Sequence, residues 1–212
     1  MTEPAVALTD FGLAVECAIF VWLMLPLPSA TDGTAVAHRW FSAFFAASGI
    51  ASLLGGIVHG YFTTSSSAHT VLWQFTLAAV GLSALALSMI ALALIERHRS
   101  TSARRAAGFL FLISLAATLA WPRFIVVMAA YLPAVLFLFV VLARRRRERH
   151  DAFSAWAMAG IAIMLMAAVV QQLGPRPFPA SFNHNAIFHV IQSLALLALF
   201  GGAQQLTSSS RT

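Results

Sequence analysis

Seven stretches of about twenty apolar residues, separated by short polar turns, constrain this chain more than anything else in it. They cover roughly residues 9–25, 40–62, 71–95, 106–121, 124–143, 152–172 and 185–206. At ~1.5 Å rise per residue, such a stretch crosses the ~30 Å hydrocarbon layer of a bilayer as a helix. Only 9% of the 212 residues are charged, against about a quarter in a soluble domain. The runs are continuous rather than alternating, so a transmembrane β-barrel is excluded. The expectation is an all-α membrane protein, with residues 1–212 forming one seven-transmembrane helix bundle.

The charges set an orientation. All 13 basic residues are arginine. With seven crossings, Arg123 and Arg176 fall on the side of the N-terminus. Arg39, Arg97, Arg99, Arg104, Arg105, Arg144 to Arg147, Arg149 and Arg211 fall on the other. The positive-inside rule then predicts an outer N-terminus and a cytoplasmic C-terminus. The fourth stretch is short, and it could pair with the fifth as a re-entrant hairpin without changing that parity. The run Arg144–Arg149 reads as a cytoplasmic flank of two helices, not as a nucleic-acid patch. The expected setting is a bacterial inner or plasma membrane, with membrane lipids as partners. Cys17 is the one cysteine, so no intrachain disulfide forms. Met1 to Asp10 lacks the basic start of a signal peptide, so the first helix is expected to stay in the mature protein.

Polar residues inside apolar runs are costly, and they mark either satisfied networks or function. His38, His98 and His150 fall beside arginines at the cytoplasmic end and are expected to be solvated. His59, His69, His184 and His189 fall at the other end, from separate segments. Asp10, Glu16, Gln74, Gln171, Gln172, Asn183 and Asn185 fall there too. Asp10 reads as a helix cap at the interface. Glu16 lies about 9 Å further in. Ser48, Ser52, Gly56 and Gly60 put a small residue at every fourth position of the second segment, which invites close helix packing. Ser52, Gly55, Gly56 and His59 share one helical face, as do Asn185, His189 and Gln192. Pro133 is expected to kink the fifth segment. Gly174, Pro175, Pro177 and Pro179 predict a rigid loop before the seventh.

Neutral imidazole is a common zinc ligand. Three histidines and an open position would hold a zinc-activated water. His59, His184 and His189 are the candidate ligands, with Ser52, Asn185 and Gln192 as supporting polar groups. His184 and His189 are five residues apart, ~140° around a regular helix. They share one ion only if His184 stands outside the helix or on an unwound first turn.

A histidine late in the second segment and a histidine pair early in the seventh, on seven helices with an outer N-terminus, resemble the superfamily of alkaline ceramidases and progestin/adipoQ-type receptors. The resemblance implies a membrane hydrolase or hydrolase-like receptor, with zinc on three histidines. By position His59 matches the segment-two ligand, His184 and His189 match the pair, and Glu16 matches an acid of the first segment. The pair here is His-x4-His where the family has His-x3-His. Gly55 stands where the family has serine, and the family's aspartate after segment two has no counterpart.

Three readings follow. The first is a zinc hydrolase of lipid amides or esters, with Glu16 or His69 moving protons. The second is a non-catalytic sensor or small-ligand binder, with the same groups as a polar network. The third is a haem or quinone protein with two axial histidines, for which no second pair exists at the opposite face.

Overall fold

The computed structural model describes residues 2–25, 32–95, 100–174 and 182–208. Among these every element is a helix. In order they are α1 (Pro4–Leu23), α2 (Gly33–Tyr61), α3 (Ser67–Leu94), α4 (Thr101–Ala120), α5 (Phe124–Arg149), α6 (Ala152–Leu173) and α7 (His184–Ser208). All seven are long and apolar enough to cross a membrane. That includes α4, whose 20 residues give it about 30 Å. His98 and the Pro175–Pro179 loop lie outside the described residues.

Most helices start or end well beyond their apolar runs. The bilayer limits the apolar length, but a helix continues as long as its backbone is satisfied and its polar side chains reach water. Asp32 caps α2, accepting from the Ala35 amide at 3.1 Å and the Thr34 hydroxyl at 2.6 Å. Those bonds hold its carboxyl below its ordinary value. This early start puts His38 a turn inside the helix. His38 is 4% exposed and its Nδ1 has no hydrogen-bond partner among the described residues, which corrects the expectation of a solvated ring.

Six helices form a closed ring in the order α1, α2, α3, α5, α6, α7, with α7 packed back on α1. α4 stands outside, against α3 and α5, and buries only Ser114 and Thr118. Lipid is as apolar as leucine, so close packing rather than water exclusion joins the helices. The closest approaches are at glycine. A Cβ on Gly160 of α6 would lie 2.9 Å from both the Ala195 carbonyl oxygen and the Leu199 amide of α7. On α2, a Cβ at Gly49 would lie 2.9 Å from Cys17 Cβ, and one at Gly56 would lie 2.8 Å from the Phe11 ring. The small-residue face of α2 therefore carries α1.

The two ends of the ring differ. In the arginine half, Phe20 stacks on Phe200 at 4.3 Å and meets Phe45 edge-on at 5.2 Å. Phe44 lies against Phe45, and Phe153 lies against Phe41. These rings close the centre of the ring. Beyond them, α5 and α6 are joined by a tight turn. His150 takes the left-handed conformation at φ 51°, and Asp151 caps α6 through the Ser154 amide at 2.8 Å. Arg145 holds Asp151 at 2.7 Å. Burial pushes the Asp151 carboxyl up, and Ser154 and the Arg145 guanidinium more than offset it, leaving it below its ordinary value.

Two outcomes test this packing. Gly160→Leu forces backbone apart, and it lowers stability by at least ~1–3 kcal/mol. Gly108→Leu on α4, where a Cβ meets nothing within 4 Å, leaves it nearly unchanged. Apparent melting temperatures in mild detergent distinguish the two. Asp151→Ala removes a cap worth about 1 kcal/mol at neutral pH. The wild-type carboxyl is depressed, so its contribution is complete above the ordinary carboxylate range. It is lost as pH falls through the lowered value. The wild-type and Asp151→Ala melting curves therefore converge on acidification.

Candidate functional site

The site is built from the N-terminus of α1. Pro4 occupies the first helical turn, where its missing amide hydrogen costs nothing, and Glu3 is the N-cap residue. The Thr2 and Glu3 amides donate to the Gly60 and His59 carbonyls, at 3.2 and 3.0 Å. The Thr2 hydroxyl also meets the His59 carbonyl. This leading segment is thereby tied to the end of α2. The Glu3 side chain is not spent on its own helix, since its Oε2 lies 2.6 Å from His59 Nδ1.

Because α1 starts at Pro4 and not at Thr9, Asp10 is no cap. It lies nearly two turns inside, 4% exposed. Its Oδ1 is 3.3 Å from His189 Nε2, and His189 Nδ1 is 3.0 Å from the Thr9 hydroxyl. The proton positions follow from the donors available. The Thr9 hydroxyl reaches the Ala5 and Val6 carbonyls at 3.0 and 2.9 Å, which accept its hydrogen. Its oxygen therefore accepts from His189 Nδ1–H. His189 Nε2 then faces Asp10 Oδ1 at 3.3 Å, so an acid and a base from the first and last helices stand side by side in the bundle.

Gly55 leaves the space that Asp10 occupies: a Cβ there would sit 3.1 Å from Asp10 Oδ2. On the far wall, Gln171 Nε2 of α6 donates to Asn185 Oδ1 of α7 at 2.7 Å. Asn183 caps α7 by accepting from the Asn185 and Ala186 amides. Trp73 is anchored by its indole N–H to the Pro122 carbonyl at 2.9 Å.

These groups surround a cavity of about 350 Å³ lined by all six ring helices. Asp10, His59, Gln171, Asn185, His189 and Gln192 supply polar groups at its mouth, and Ser52 stands among them on α2. Leu13, Val80, Met128, Met164 and Leu196 make its walls apolar further in. The Tyr131 hydroxyl reaches Met164 Sδ at 3.4 Å near its floor. Two buried oxygens on this lining, Asp10 Oδ2 and Gln171 Oε1, have no hydrogen-bond partner among the described residues.

The expected residues are thus only partly gathered. His59, His189, Ser52, Asn185 and Gln192 line one cavity. His184 does not join them. It is the first residue of a regular α7, so the five-residue spacing turns it away from His189, and its Nδ1 lies beside Gly174. His69 stands against Trp73, with ring centroids 6.5 Å apart. Glu16 lies on the seam between α1 and α7, where Ser193 approaches its carboxyl and its Oε2 has no hydrogen-bond partner among the described residues. Among the described residues no group of three or more His, Cys, Asp or Glu side chains is placed to hold a metal ion. The chain matches one family over residues 5–208. It belongs to DUF6962, a family of unknown function. No curated protein and no solved structure matches it. Membership therefore brings no activity, and the site must be read from its own chemistry.

Sequence reasoning missed Glu3, Thr9 and the true place of Asp10. The signal was present. Pro4 followed by Ala-Val-Ala-Leu is a helix start upstream of Asp10.

A double-mutant cycle measures the buried pair. Asp10→Leu or His189→Leu alone strands one polar partner in hydrocarbon and costs several kcal/mol. The double substitution costs less than the sum by at least ~1 kcal/mol. Unfolding of the four proteins in detergent shows it, and strict additivity would mean that the two side chains act independently.

Proposed function

We propose that this protein is a non-catalytic membrane-embedded receptor for a small amphiphilic molecule. The observation that carries this reading is the cavity itself. It is lined by six helices, polar at one end and apolar further in. Its volume of about 350 Å³ lies in the range of small-molecule sites. An apolar tail would lie against Leu13, Val80, Met128 and Met164, with its head among Asp10, Gln171, Asn185 and His189.

The apolar inner walls of the cavity and the packed phenylalanines of the arginine half favour binding over passage. The pairing of His59 with Glu3 and of His189 with Asp10 favours a receptor over a three-histidine zinc hydrolase. Both ring nitrogens of His189 face protein groups, and His184 is elsewhere. The arginine distribution supports a cavity that opens on the non-cytoplasmic side.

The reading is tested with octyl and decyl chains bearing amine, alcohol or carboxylate heads, added to protein in neutral detergent. At least one head group raises the melting temperature of the wild type, and a ligand at a hundred times its Kd adds ~2.7 kcal/mol. Ser52→Phe and Ser48→Leu, which fill the cavity from α2, abolish that shift. Equal shifts in wild-type and filled proteins would place binding outside the cavity and overturn the reading.

A further inference from the structure

A second cleft lies at the arginine end, where α5 outlasts its apolar run. Residues 124–143 carry no charge, and Arg144 is the first charge after them. Such a run spans ~30 Å as a helix. α5 therefore meets the head-group layer of a bilayer at Arg144 and continues to Arg149. Val141, Arg144, Arg145, Glu148 and Arg149 recur at i, i+3, i+4, i+7 and i+8, which is one face of the helix. With Leu94 and Ile95 at the end of α3, they line a cleft of about 430 Å³. Its apolar lining comes from the uncharged runs of α3 and α5, and its charged lining stands beyond them. The cleft thus straddles the boundary between hydrocarbon and head groups.

Its charge is not balanced from within. Five arginines, Arg144 to Arg147 and Arg149, crowd the end of α5. Asp151 is spent on Arg145, at 2.7 Å, and on the Ser154 amide. Glu148 lies 2.8 Å from Arg144, in a pair whose side chains are 79% and 56% exposed. Exposed ion pairs hold weakly, so a phosphate oxygen can replace Glu148 on Arg144. Arg147 and Arg149 enter no salt bridge among the described residues, and both are exposed. A guanidinium is a planar fork that takes two phosphate oxygens at once.

We propose that this cleft is a binding site for an anionic phospholipid. Arg149 and Arg144 hold the phosphodiester, and an acyl chain lies against Leu94, Ile95 and Val141. The apolar floor selects a lipid over free phosphate. The arginine rim selects an anionic head group over a zwitterionic one, whose own cation would face the arginines. The proposal is independent of the receptor reading.

Native mass spectrometry tests it, with the protein titrated in neutral detergent with dioleoylphosphatidylglycerol, dioleoylphosphatidylcholine or glycerol phosphate. The wild type binds phosphatidylglycerol at least about fivefold tighter than phosphatidylcholine, the effect of one arginine at a membrane surface. Glycerol phosphate binds more weakly still. Arg149→Gln loses about that factor for phosphatidylglycerol alone, whereas Arg147→Gln, off the cleft face of α5, changes little. Glu148→Gln frees Arg144 and tightens binding. Asp32→Asn, the same charge change elsewhere at this end, does not. Ile95→Trp fills the apolar floor and weakens binding without touching a charge. Equal losses in Arg149→Gln and Arg147→Gln, or equal gains in Glu148→Gln and Asp32→Asn, would mean attraction to the whole basic end and overturn the site. Phosphatidylcholine binding as tight as phosphatidylglycerol binding overturns the anionic assignment, and glycerol phosphate binding as tight overturns the lipid.

Discussion

A carboxyl group buried among membrane helices needs a partner, and Asp10 faces His189 on the neighbouring helix of the ring. That contact joins the first helix of the chain to the last. Thr9 adds a second point on the same imidazole, and Glu16 with Ser193 lies two turns further along the seam. Apolar contacts between membrane helices gain little over contacts with lipid, so these polar links, with the stacked Phe20 and Phe200 further along, hold α1 against α7 and close the ring.

The two halves of the bundle then solve different problems. Toward the arginine end, bulky aromatic rings from α1, α2, α6 and α7 fill the space, and Gly160 brings the backbones of α6 and α7 together. Toward the other end, the side chains on the inner faces shrink to serine, threonine and glycine on α2 and α3, and the space remains open. The same helices are therefore dense over half their length and hollow over the rest. Pro133 falls between these regimes on α5, where the Ala129 carbonyl loses its helical donor a few residues from cavity-lining Met128 and Tyr131.

The seven helices were legible because twenty consecutive apolar residues have few other uses. Their ends were not, because hydropathy records the bilayer and not the hydrogen-bonded length of the helix. That difference misplaced two residues: Asp10 was read as a cap and His38 as solvated, and both are buried. The gathering of polar groups at one end was visible from parity alone, as was the shared face of Asn185, His189 and Gln192. Pairing was not. Nothing in the spacing shows that His59 meets Glu3, or that the reach from His189 goes to α1. The His184–His189 separation did contain its own warning, since 140° on a regular helix divides two side chains between different surroundings.

The leading residues Thr2 and Glu3 are fastened to the last carbonyls of α2, beside cavity-lining His59. On the receptor reading proposed above, a guest passing His59 would arrive and depart by one threshold, so a change there would alter both rates together, while the depth of the well is set by the walls further in.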